Sequence, residues 1–138
     1  PLLQACEIKA TFFPESDKVN TEGYMNWTEI NELSNQQHFI GAKEGKHDHL
    51  SKMNPNELIV FLENSRRTMR NKSEQRVNEF SLLSGKVSNR ILEFIEIAGF
   101  SNVLTNKAKI NIDTEQFVLH RHRINGKMGF TEFSKLIQ

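Results

Sequence analysis

The sequence predicts an α+β fold in a single domain over residues 1–138, with an N-terminal strand, three to four central helices and a C-terminal antiparallel β-hairpin. Three observations support this. The central segments carry apolar residues at helical spacing, and the last third changes to the alternation typical of strands. An Asn-Gly pair at 125–126 is also the strongest short signal for a tight hairpin turn. A helix beside a basic hairpin would be winged-helix-like.

The first half of the chain predicts a strand, a short helix and a long loop. Residues 2–13 are rich in apolar side chains and lack helix caps, so we expect a strand. Asn26 with a carboxylate three residues later, at Glu29, predicts a helix from there to about Ser34. Residues 35–54 contain two glycines and little periodicity, which predicts a loop.

The helices that follow are predicted by their caps. A proline directly after Asn54 predicts a helix that runs to about Asn71. A second helical stretch over residues 77–85 is either separate from it or continuous with it. Ser88 predicts the start of a third helix, and Gly99 is placed to end it because glycine adopts a positive φ without strain.

After Asn106 the apolar residues alternate, which predicts strands. Residues 107–112 form one, and residues 117–124 and 127–133 form the two arms of the hairpin. A two-residue turn fixes the register between these arms. The C-terminal part of the chain is therefore expected to be an antiparallel sheet.

The hairpin register divides the His-Arg-His-Arg run at residues 120–123 into two sets, because side chains alternate across a strand. The face that carries Arg121 and Arg123 is the more apolar one and predicts the core side, with both guanidinium groups at its wet margin. His120 and His122 are expected to face solvent.

Composition and charge narrow the class of protein. Hydrophobic residues at 37% and charged residues at 25% are typical of a globular domain. No apolar run approaches the roughly 18 residues of a membrane span, and no secretory leader pattern is present, so we expect a cytoplasmic protein without a membrane partner. Residues 1–64 carry a net charge of −5 and residues 65–138 carry +6. This split favours an acidic partner for the second half, unless the two halves face one another.

The first functional hypothesis is a regulatory or accessory protein that binds nucleic acid through the phosphate backbone, by a basic helix and a basic hairpin. Arginine favours bidentate contact with phosphate, although a charge run is also typical of a solvated helix face. The residues expected to contact phosphate are Arg66, Arg67, Arg70, Arg76, Arg121, Arg123 and Lys127.

Two alternatives remain open. The first is a phosphodiesterase or ribonuclease-like enzyme with His120 and His122 as general acid and base. No cofactor is expected, but zinc is an alternative because two His-x-His pairs supply four ligands, the second pair being His47 and His49. The other alternative is a protein-interaction or inhibitor module that binds a protein partner or a second copy of the chain.

Overall fold

A computed structural model describes residues 2–45, 49–83, 87–107 and 117–136. The helices in this part of the chain are α1 (Leu2–Ala5), α2 (Trp27–Asn35), α3 (His49–Lys52), α4 (Pro55–Ser73), α5 (Asn89–Ile97) and α6 (Phe130–Leu136). The strands are β1 (Thr11–Phe12), β2 (Phe39–Ile40), β3 (Ala42–Lys43), β4 (Glu79–Ser81), β5 (Asn102–Thr105) and β6 (Val118–His120).

The strands form a four-stranded sheet in the order β3-β4-β5-β6 and a two-stranded sheet of β1 and β2, and all pairings between them are parallel. Phe80 lies in register with Ala42 on one side and Val103 on the other. Gly41 separates β2 from β3, and a Cβ atom at this position would collide with the ring of Phe13. The fold class is therefore α/β with a parallel sheet.

Helices make the parallel pairing feasible. Consecutive parallel strands need a crossover connection, and a helix usually supplies it. Helix α4 lies between β3 and β4 in the chain, and α5 lies between β4 and β5. Each crossover helix returns the chain from the carboxyl edge of the sheet to its amino edge.

The predicted helix starts are confirmed. Asn26 and Asn54 each accept a hydrogen bond from the backbone N–H of the glutamate three residues later, and that glutamate bonds back to the cap. The Ser88 side chain caps α5 by accepting the backbone N–H of Ile91, and among the described residues no glutamate side chain bonds back to this cap. Gly99 follows the end of α5 with a φ of 86°, which glycine adopts readily.

The core lies between the helices and the sheet. Leu58, Leu62 and Met69 on the inner face of α4 are fully buried, as is Phe80 on β4. The rings of Phe80 and Phe100 lie 5.1 Å apart between their centroids. The apolar residues at helical spacing in α4 therefore form its buried face.

The prediction of an α+β fold with a C-terminal antiparallel hairpin, like that of a winged helix, is wrong. Strand β6 pairs in parallel with β5, and the second expected arm contains the start of helix α6. Asn125 still makes a turn, because its side-chain oxygen accepts the backbone N–H of Lys127 and its carbonyl accepts that of Met128. The Asn-Gly pair thus forms a local turn that is closed by the Asn125 side chain and is followed by a helix.

Three other segments differ from the prediction. Residues 2–13 contain the short helix α1 before β1, and the expected loop at 35–54 contains β2, β3 and α3. The stretch 77–85, expected to be helical, contains strand β4. A short apolar run fits a buried strand as well as a helix, which explains this error. Most of the expected strand at 107–112 lies outside the described residues.

In the described ranges, no helix is both long and apolar enough to cross a bilayer.

We predict that Leu62→Ala lowers the free energy of unfolding by about 2–5 kcal/mol, because it leaves a cavity beneath α4. Val60→Ala is the matched control on the same helix, since the Val60 side chain is 53% exposed. It should change stability by no more than about 0.5 kcal/mol. Urea unfolding followed by circular dichroism measures both, and equal losses would contradict the assignment of the buried face.

Candidate functional site at the carboxyl edge of the sheet

Polar side chains gather where the parallel strands end. Strand β3 ends at Lys43, β4 at Ser81, β5 at Thr105 and β6 at His120. Carboxyl ends of parallel strands meet at one edge of the sheet, and ligands of open α/β sheets bind outside this edge. We refer to this part of the molecule as the carboxyl edge.

Arg121 connects the strand ends to one another. Its Nη2 atom donates to Ser81 Oγ and to Asn106 Oδ1, both at 2.9 Å, and to the carbonyl of Leu82 at 3.4 Å. Its guanidinium lies 5.6 Å from the centre of the Phe13 ring. Burial lowers the pKa of Arg121 from its ordinary value, because desolvation penalises the charged form. This arginine therefore joins the ends of β4, β5 and β6.

A carboxylate and a lysine lie at the end of β3. Glu44 is 3% exposed, and its Oε2 atom accepts the backbone N–H of Leu83 at 3.1 Å. The Glu44 N–H in turn donates to the carbonyl of Ser81 at 3.0 Å. Lys43 Nζ forms an ion pair with Glu15 Oε1 at 2.6 Å. The edge thus holds charged groups of both signs.

Two histidines belong to the same region. The Nδ1 atom of His120 lies 2.8 Å from Thr105 Oγ1, which joins β6 to β5. The Nε2 atom of His122 is buried and has no hydrogen-bond partner in the described part of the chain, and the same holds for Nε of Arg121. Buried polar atoms normally have a partner, so these two nitrogens are candidates for contact with a ligand.

The basic residues predicted to contact phosphate lie in separate places. Arg121 belongs to the carboxyl edge, whereas Arg123 and Lys127 are exposed in the segment after β6. Arg76 is exposed and lines a groove with residues at the amino ends of β2 and β4. The remaining three lie together on α4: Arg66, Arg67 and Arg70.

The predicted zinc ligands do not come together among the residues that can be described. Over these ranges no group of three His, Cys, Asp or Glu side chains is arranged to hold a metal ion. His47 lies outside the described residues, as does the side chain of His49. Within the described part, His120 and His122 therefore belong to no such group.

The parallel sheet with its polar carboxyl edge places the chain in the class of α/β proteins. Comparison with models of known protein families then identifies its family. The chain belongs to the polysaccharide deacetylase family, whose model matches residues 1–103. No curated protein matches the chain.

Several solved structures have a similar fold. A de-N-acetylase from Aggregatibacter actinomycetemcomitans is 14% identical with a TM-score of 0.83, and the match covers 99% of this chain and 68% of that one. The Streptococcus pyogenes deacetylase PplD, in complex with acetate, is 15% identical with a TM-score of 0.88, over 100% of this chain and 62% of that one. A CE4 family pseudoenzyme mutant with restored activity is 19% identical with a TM-score of 0.62, over 74% of this chain and 36% of that one. The chain therefore spans about two thirds or less of each of these structures.

The family assignment shows that the prediction of a nucleic-acid-binding protein with a nucleic-acid partner is wrong, together with its two functional alternatives. The structure explains part of the error. The hairpin register predicts Arg121 at a solvated tip, but its side chain is bonded to the strand ends. Arg66 is predicted to contact phosphate, but it donates to the backbone carbonyls of Val77 and Ala98.

Sequence reasoning missed Glu44, Ser81 and Asn106. Each is a polar residue at or just after the end of a strand of two to four residues. Such strands are too short to show an alternating pattern, so the residues that follow them carry no local signal.

We predict that Arg121→Gln lowers the free energy of unfolding by about 1.5–3 kcal/mol, because hydrogen bonds from a charged donor to three strand-end acceptors are lost. Arg123→Gln removes the same charge from an exposed position and should change stability by no more than about 0.5 kcal/mol. Urea unfolding compares the two variants. Equal stability of both would show that Arg121 does not hold the strand ends together.

Proposed function

We propose that this chain forms the substrate-binding part of a polysaccharide de-N-acetylase, and that the N-acetyl group of the sugar binds at the carboxyl edge. The observation that carries this proposal is the position of the polar cluster around Arg121, at the sheet edge where α/β proteins bind their ligands. Membership of the polysaccharide deacetylase family supplies the substrate class. The acetate bound to PplD and the de-N-acetylase of similar fold from Aggregatibacter actinomycetemcomitans support the same reaction.

The reaction makes two chemical demands on the site. Water attacks the carbonyl carbon of the acetamide, the C–N bond breaks, and the products are acetate and a free sugar amine. A group must take the proton of the water and pass one to the leaving nitrogen, and another must stabilise the negative charge that develops on the carbonyl oxygen. Imidazole and guanidinium groups are suited to these two tasks.

His122 and Arg121 are the candidates for these tasks. In this proposal His122 Nε2 exchanges the proton, and Arg121 Nε donates to the developing oxyanion. Both nitrogens lack a partner in the described ranges. Both are also buried, so neighbouring side chains must rearrange before either one contacts the substrate. Glu44 and Ser81 hold the surrounding backbone and the guanidinium in place.

Deacetylases of this family typically use a metal ion, so the alternative of zinc is consistent with the family. The described residues do not fit one. They contain no group of three His, Cys, Asp or Glu side chains that is arranged to hold a metal ion. We therefore assign no step of the reaction to a metal.

A second candidate function is binding of the polysaccharide without turnover. The described residues favour it, because they contain no group of three side chains that is arranged to hold a metal ion. One protein of similar fold is described as a pseudoenzyme, so this fold also occurs without activity.

We predict that the chain binds an oligomer of N-acetylglucosamine and releases acetate from it. His122→Ala should lower the rate of release by roughly 100-fold, as expected when a general acid–base group is lost. Arg123→Gln, an exposed neighbour, is the control and should retain the wild-type rate. An enzymatic acetate assay and calorimetric titration measure turnover and binding.

The two measurements separate the candidate functions. Binding without acetate release, with and without added zinc, would contradict the enzyme and support the binding protein. Absence of both would overturn the proposal for the carboxyl edge altogether. A His122→Ala variant as active as the wild type would reject His122 as the proton-exchanging group.

A further inference from the structure

A cavity of about 270 Å³ lies on the helical side of the molecule, and arginines dominate its lining. Its lining residues are Glu63, Arg66, Arg67, Arg70 and Ala98. We call this the arginine cavity. Crossover helices run against the strand direction, so the second half of α4 and the end of α5 lie toward the amino edge of the sheet. The arginine cavity is therefore separate from the carboxyl edge.

Arg66 is held in a fixed position at this cavity. Its Nε atom donates to the carbonyl of Val77 at 2.9 Å, and its Nη1 atom donates to that of Ala98 at 3.4 Å. The guanidinium also lies over the ring of Phe100, 5.7 Å from its centre. A Cβ atom at Gly99 would come within 2.6 Å of Nη1, so the glycine leaves room for the arginine. This guanidinium is positioned before any ligand binds.

The charge of the cavity is not balanced. Three guanidinium groups line it against the single carboxylate of Glu63, and no ion pair joins them within the described part of the chain. Arg67 donates to Asn64, a neutral partner, and Arg70 is exposed. Clustered like charges repel one another, and an anion placed among them would relieve that repulsion.

We propose that the arginine cavity binds a carboxylate, sulfate or phosphate group, and that this group is carried by an acidic polysaccharide. The planar guanidinium presents paired N–H donors that match the paired oxygens of these anions. The polysaccharide as carrier follows from the family to which the chain belongs. The cavity would hold an acidic sugar at a distance from the carboxyl edge, whether or not that edge performs catalysis.

The test compares two double variants with the same change in charge. Arg67→Gln with Arg70→Gln removes two cations from the cavity and leaves the contacts of Arg66 intact. Arg123→Gln with Lys127→Gln removes two exposed cations elsewhere. Each protein is titrated with a galacturonate hexamer and, separately, with inorganic sulfate, and binding is followed by NMR chemical shifts at constant ionic strength.

We expect saturable binding of the hexamer by the wild type, weakened by roughly tenfold or more in the cavity variant, as expected when charge-assisted hydrogen bonds are lost. The control variant should bind within about twofold of the wild type. If hexamer binding were weakened equally in both variants, the effect would be one of overall positive charge, and the proposed binding site would be rejected. A lack of saturable binding by the wild type would also reject it.

The two probes distinguish the sources of the anion. If the hexamer binds more tightly than sulfate, the ligand is a polysaccharide. If the two affinities are equal, the polysaccharide is rejected as the ligand and the cavity binds a free anion. Acetate release from the neutral N-acetylglucosamine oligomer should be the same in the cavity variant and the wild type. This separates failure of the arginine cavity from failure of the carboxyl edge.

Discussion

The guanidinium of Arg121 donates to the side chain that ends β4 and to the residue that follows β5, while its own backbone extends β6. These strands contain only three or four residues, so few backbone hydrogen bonds join them. A charged donor with several acceptors adds cross-links where the strands end. The positions of the Ser81 and Asn106 side chains at the carboxyl edge therefore depend on this one arginine.

The parallel sheet sets the second constraint. Parallel strands are covered by crossover helices, so the polar residues of this fold are excluded from the faces and collect at the edges. Lys43 and Glu44 reach the carboxyl edge because β3 ends there, and the buried carboxylate of Glu44 is tolerated because it accepts the N–H of Leu83. The same topology places the arginine cavity of α4 toward the opposite edge. The carboxyl edge, with charges of both signs, and the positively charged arginine cavity thus result from one arrangement of strands and helices.

Local signals were sufficient to predict three of the described helices, α2, α4 and α5. The caps at Asn26, Asn54 and Ser88 and the terminating Gly99 act over three or four residues, and the structure confirms each of them. The sheet could not be predicted in this way, because parallel pairing joins residues far apart in the chain. Asn125-Gly126 illustrates the limit: its turn forms locally, but a helix follows it where a strand was expected. For the site, the role of Arg121 in binding stays a prediction, while its surroundings differ from those expected and the nucleic-acid ligand is wrong.

The central claim is that N-acetylated sugar binds at the carboxyl edge, and backbone NMR shifts during titration with an N-acetylglucosamine oligomer test it most directly. The account predicts that the largest changes occur at residues 43–44, 81–83, 105–106 and 120–122, where the strands end. Changes centred on residues 37–39 and 75–79, at the amino ends of β2 and β4, would contradict it, and so would a spectrum that does not change.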